Sequence, residues 1–174
     1  MHYTGDTEGR IVVWRWHSDE KKIHVPISGQ SIFSLSCSPN DADSIVIGYQ
    51  SGNVIIVNVS TGEVIHRLVG HVDEIHAIDW APHVQSSQTD ANAESCDNST
   101  RSSSLLTSSK DKTIRVWDAT DFSLVTTLQI PKTAGQFHEG QKIRVWITAC
   151  FSPTSAHIII SSNLVYAACF WSYY

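Results

Sequence analysis

Apolar residues in this chain come in short runs, and turn-forming residues break the runs at close intervals. The clearest unit is LTSSKDKTIRVWDA, Leu106 to Ala119: an apolar run, a Ser-Lys-Asp-Lys turn, and a second β-branched run that ends in Trp117-Asp118. That pattern predicts a tight hairpin. IVVW at Ile11 to Trp14 and VIIV at Val54 to Val57 hold the place of the second run, and Trp14 and Val57 stand 43 residues apart. A weaker copy lies at Cys169 to Trp171. The runs Ile45-Val46-Ile47 and Val54-Ile55-Ile56-Val57 do not alternate, as expected of strands buried on both faces.

A repeat of ~40–45 residues with four strands in each unit is the period of a WD-repeat propeller blade. The chain therefore reads as all-β, with antiparallel four-stranded sheets and parts of four blades. Residues 1–30 supply the end of one blade, with strands at Ile11–Trp16 and Ile23–Ile27. Residues 31–70 make a complete blade from Ile32–Cys37, Ser44–Gly48, Val54–Val59 and Val64–Leu68. Residues 71–130 make a third, with strands at Ile75–Trp80, from Leu105 onward, and at Leu124–Ile130. Residues 131–174 hold an incomplete fourth at Ile143–Phe151, Ile158–Ser161 and Val165–Trp171. A propeller ring takes typically 4–8 blades, each stabilised by its neighbours, so the chain reads as a segment of a larger propeller.

Residues 83–104 interrupt the third blade with a Ser-, Asn-, Asp- and Gln-rich stretch nearly free of aliphatic residues, expected to be a disordered loop. It joins first and second strands, so it should emerge opposite the loops that join blades. Three prolines test the register. Two, four and six residues before Pro39 stand Cys37, Leu35 and Phe33; before Pro82, Trp80, Ile78 and His76; before Pro153, Phe151, Ala149 and Ile147. This predicts one mostly apolar face per first strand, with His76 the exception.

Charge and composition narrow the chemistry. The 174 residues carry a net charge of −5, so no bulk positive field announces nucleic acid and any RNA contact must be local. Cys37, Cys96, Cys150 and Cys169 show no paired spacing and read as reduced core thiols of an intracellular protein, not as a metal site. Nothing resembles a secretory leader or a membrane span. There is no nucleotide-binding glycine motif and no nucleophile in a recognisable context, so neither an enzyme nor a bound cofactor is expected.

The candidate residues fall into two groups. His71, a hydroxyl at Thr107 or Ser109, Asp111 and Trp117 match the WD-repeat set that links loop, strand and turn by buried hydrogen bonds, a structural role. Glu74 lies in the loop between blades, where propellers meet ligands, although a solvated loop charge explains it equally. Trp146 stands seven residues before Pro153, where the other two strands carry Ile32 and Ile75. That match argues for the core. An indole beside Lys142 and Arg144 also suits base stacking next to phosphates.

At IFSLSCSP, IGYQSGNVIIVNVSTGEVIHRL, GHVDEIHAIDWAP, SSKDKTIRVW and KIRVWIT the wording resembles the amino-terminal propeller region of the gem-associated protein five family. The resemblance implies a small-nuclear-RNA-binding subunit of the survival-of-motor-neuron complex, present in the cytoplasm and in nuclear bodies. It implies that the Sm site and the 7-methylguanosine cap of spliceosomal small nuclear RNA are the ligands and the subunits of that complex the partners. Trp146 within KIRVW takes the cap-stacking place, and Glu74 within HVDEIH an RNA-facing one. A protein-interaction scaffold without RNA contact is the competing reading.

Overall fold

The computed structural model describes residues 2–14, 20–82, 104–130, 147–152, 157–162 and 165–172. These hold fourteen strands in four antiparallel sheets and no helix. The first sheet is β1 (His2–Gly5), β2 (Ile11–Trp14) and β3 (Lys21–His24). The second is β4 (Ile32–Cys37), β5 (Ser44–Tyr49), β6 (Val54–Asn58) and β7 (Val64–Leu68). The third is β8 (Ile75–Trp80), β9 (Ser104–Ser109), β10 (Thr113–Asp118) and β11 (Leu124–Gln129). The fourth is β12 (Ile147–Phe151), β13 (His157–Ser162) and β14 (Val165–Ser172). Each runs in meander order, so the sheets are the expected WD blades.

Boundaries moved at the ends of sheets. Strand β1, four residues long, carries no run that marks it in the sequence. Strand β3 begins at Lys21 and ends at His24, earlier than the apolar residues Ile23 to Ile27 indicate. Strand β9 begins at Ser104, inside the span assigned to the insertion. The rest of that insertion, and residues 131–146, lie outside the described residues.

Side chains that alternate along a strand enter two different cores. On β6, Val54 and Ile56 join the cluster shared with Ile75, Ile78 and Trp80 of β8, while Ile55 and Val57 join the cluster shared with Ile11 and Val13 of β2. On β9, Leu105 faces the second sheet and Leu106 the fourth. The apolar runs without alternation thus fill a seam on each side of one sheet. Close approach across a seam needs small residues: a Cβ on Gly48 of β5 would stand 2.5 Å from Ile75 Cγ2, and one on Gly5 of β1 2.7 Å from Ile32 Cγ2. Ser108 holds the same place on β9, where its hydroxyl donates to the Ile147 carbonyl at 3.0 Å.

The register inferred from the prolines holds for part of β4 and β8 and for the whole of β12. A bulge lies between Ile32 and Ser34 in β4 and between Ile75 and Ala77 in β8. It sends Phe33 and His76 to the opposite face from Leu35 and Ile78; Phe33 is exposed, and His76 turns toward β12. Strand β12 pairs without a bulge, so Ile147, Ala149 and Phe151 do share one buried face. The cysteine reading is corrected as well: Cys37 and Cys150 are exposed free thiols, not core residues.

In the third sheet the polar set forms a directed chain. Trp117 Nε1–H donates to Thr107 Oγ1 at 2.9 Å, Thr107 lies 2.9 Å from His71 Nε2, and His71 Nδ1 lies 2.9 Å from Asp111 Oδ2. A proton on Nδ1 satisfies every link. The hydroxyl in the chain is that of Thr107; Ser109 instead donates to the Asp73 carbonyl and accepts from the Asp111 amide. Burial alone would raise the Asp111 carboxyl, but bonds from His71 and Thr113 outweigh it and hold it well below the carboxylate range. Its contribution to stability is complete above the unfolded value of 3.8 and is lost only as pH falls through the lower folded value.

Two substitutions test these contacts. Thr107→Val keeps the shape but leaves an indole N–H and an imidazole nitrogen buried without partners, at ~1–3 kcal/mol for each group, so it should lower unfolding free energy by about 2–6 kcal/mol in urea titration. Gly48→Ala should cost about 1–3 kcal/mol by overpacking against Ile75. Combined with Ile75→Ala, its loss should be smaller than the sum of the two single losses, because the methyl groups no longer collide.

Candidate functional site

The loop from β7 to β8 and the turn from β9 to β10 meet at one end of the third sheet. The turn is tight because Lys112 takes φ 69°, the place of Gly52 at φ 86° in the second sheet. The Lys110 amide donates to the Glu74 carbonyl at 2.9 Å, and Arg115 anchors the loop from below by donating to the Gly70 carbonyl at 3.0 Å. Pro82 and Ser104, which flank the insertion, lie at the opposite ends of β8 and β9 from Glu74, on the side expected.

Glu74 is not a freely solvated loop charge. Its side chain is 20% exposed, Oε1 accepts from Lys110 Nζ at 3.0 Å, and Oε2 lies 3.7 Å from His76 Nε2. Lys110 also stands 3.6 Å from Asp73 Oδ1. The bond from Glu74 holds the Lys110 ammonium above the ordinary lysine range. Because the lysine remains 32% exposed, solvent weakens the attraction and the pair can open to another partner. Val69 and Val72 on the same loop are 82% and 81% exposed.

His76 reaches the other way. Its Nδ1 accepts the Ile147 amide at 3.0 Å, and Asp79 Oδ2, three residues on, accepts the Phe151 amide at 2.8 Å. Two side chains of β8 thereby hold the backbone of β12 across the seam. The sequence signal was the presence of His and Asp in a strand otherwise written for burial; the bulge that aims His76 left none.

Trp146 lies outside the described residues, but the residue after it does not. Ile147 is fully buried in the seam with Leu106 and Ile114, and its carbonyl accepts from Ser108, which stands on β9 where Gly48, the neighbour of Ile75, stands on β5. Counting back from the prolines matched Trp146 with Ile75 because β8 carries one more residue, in its bulge, than β12. Corrected for the bulge, Trp146 corresponds in sequence to Glu74. His71 and Asp111 stay within the polar chain of the third sheet, and the described residues hold no group of three or more His, Cys, Asp or Glu able to bind a metal.

The family model of the RIG first beta-propeller matches residues 21–137. Gem-associated protein 5 of Homo sapiens is 34% identical over 177 residues, covering 91% of this chain and 12% of that protein. The Mus musculus protein of the same name is 33% identical over the same shares, and Component of gems protein 5 of Dictyostelium discoideum is 26% identical over 97% of this chain and 15% of its own length. This chain thus spans only about an eighth of the mammalian relatives. With blade topology, seam chemistry and sequence in agreement, the chain belongs to the RIG first-propeller family, that of the Gem-associated protein 5 relatives.

Proposed function

We propose that this chain is part of a non-enzymatic propeller that recognises RNA, reading the Sm site and the 7-methylguanosine cap of small nuclear RNA for delivery to the survival-of-motor-neuron complex in the cytoplasm and nuclear bodies. The observation that carries the reading is the position of Ile147. With Ile147 in the seam, Trp146 corresponds to the loop residue Glu74 and not to a core isoleucine, which favours a ligand-facing indole. Glu74 beside Lys110 adds a carboxylate for base donors and an ammonium for a phosphate. The names of the gem-associated relatives agree with assembly into such a complex.

A protein-interaction scaffold is the second reading, favoured by Val69 and Val72, which place an exposed apolar pair on the same loop. The two readings part on Trp146, tested in the full-length protein so that folding and binding stay separate. Trp146→Ala should cost ~1–3 kcal/mol in binding capped RNA and far less with uncapped RNA, and Trp146→Phe should keep part of the affinity. A tryptophan that only packs would instead lower stability by ~3–5 kcal/mol and weaken both RNAs alike. Melting temperature and both affinities measured on the same samples decide, and an unchanged ratio of capped to uncapped affinity refutes the cap platform.

A further inference from the structure

His76 joins two things no other described side chain joins. Through Nδ1 it holds the first residue of β12, and through Nε2 it faces the carboxylate of Glu74. The Ile147 carbonyl is held as well, by Ser108, so both polar backbone groups of that residue depend on side chains of the third sheet. Since Nδ1 accepts a hydrogen bond, the neutral ring carries its proton on Nε2, toward Glu74. At 3.7 Å that contact is electrostatic and not a short hydrogen bond.

We propose that His76 is a positioning residue of the RNA site, which when neutral couples Glu74 to the start of β12 and when protonated uncouples them. The inference rests on the RNA-recognition reading above. A proton on Nδ1 turns the acceptor into a donor that faces the donor N–H of Ile147, so the strand end is released. The resulting imidazolium draws Glu74 toward itself, away from Lys110 and from any base donor. Acid therefore disturbs both the carboxylate and the backbone next to Trp146 in one step.

The surroundings set where this happens. The His76 side chain is 1% exposed, and burial pulls its pKa below the ordinary 6.5 against the opposing attraction of Glu74 and Asp73; Lys110 adds to the lowering. Among the described residues, strands β4, β5, β9 and β12, which pack against β8, carry no Asp, Glu, Lys, Arg or His and have as titratable groups only the Cys37 and Cys150 thiols and the Tyr49 hydroxyl, so Glu74, Asp73 and Lys110 are the charged groups that act on the ring. The unfolded chain takes up the proton near pH 6.5 and the folded chain at lower pH, so stability falls as pH drops below about 6.5 toward the folded value.

The test uses the full-length protein and an uncapped RNA carrying an Sm site, because the cap base titrates on its own. Affinity is measured at pH 7.5 and at the lowest pH at which melting curves show the protein still folded, together with amide-exchange protection of Ile147 in the RNA-free protein. Wild type should lose severalfold in affinity at the lower pH, with a parallel loss of Ile147 protection. His76→Asn keeps an oxygen acceptor near the Nδ1 place but cannot titrate, so its affinity and Ile147 protection, whatever their level at pH 7.5, should be nearly flat with pH. His76→Gln reaches toward Glu74 but gives up the Nδ1 acceptor, and should show low Ile147 protection at both pH values. Wild-type pH dependence retained in His76→Asn overturns the proposal, as does wild-type affinity that does not change with pH. Wild-type protein that binds no RNA at pH 7.5 refutes the RNA reading itself, a distinct result.

Discussion

Every sheet in this chain depends on the seam it shares with its neighbour. A β-strand presents side chains on two faces, and in β5, β6 and β9 both faces are buried, so one sheet alone would leave a whole face in water. Stacking places Val46, Val54 and Ile56 in one seam and Ile45, Ile47, Ile55 and Val57 in the next. At ~25 cal/mol for each Å² of apolar surface removed from water, that shared burial outweighs any single polar contact described here. It also accounts for the close backbone spacing at Gly5 and Gly48, where a methyl group would meet an isoleucine of the next sheet.

Polar groups then fix what the apolar seam leaves free. Neighbouring inner strands such as β8 and β12 do not form a ladder, so the ends of β12 need other partners, and His76, Asp79 and Ser108 supply them. Within the third sheet, the chain from Trp117 through Thr107 and His71 to Asp111 ties strand, loop and turn together. The second sheet has Val57 where the third has Trp117 and manages without that chain, burying Ile47 and Val57 in its place. The polar chain is therefore a local device that fixes the His71 loop and the Asp111 turn, the two segments that flank Glu74.

What could be read in the sequence follows the same division. Strands whose burial is written as a run, from Val54 or Thr113, were visible to within a residue or two, and so was the polar set, because His, Thr, Asp and Trp at those spacings have few other uses. Strand β1 was not legible, since its HYTG holds no run and forms by pairing with β2. The bulges at Ile32 and Ile75 were invisible because an added residue changes no composition, yet they decide which face His76 occupies and which residue of the fourth sheet matches Ile75. Glu74 was legible as a position in a loop; its contacts with Lys110 and His76 come from segments 36 and two residues away that only the fold brings together.

The two bulges also bear on why recognition chemistry would gather at this end of the sheets. A bulge beside the first residue of an inner strand adds a side chain without lengthening the strand, and it aims that side chain across the seam instead of into it. In β4 the added position is Phe33, half in solvent; in β8 it is His76, bonded to the next sheet. The described pairing of β12 has no such residue, and its backbone takes fixed partners from the sheet before it. A site built there inherits its geometry from two sheets at once. The carboxylate of Glu74 and the start of β12 then respond together to whatever perturbs their shared contact, His76.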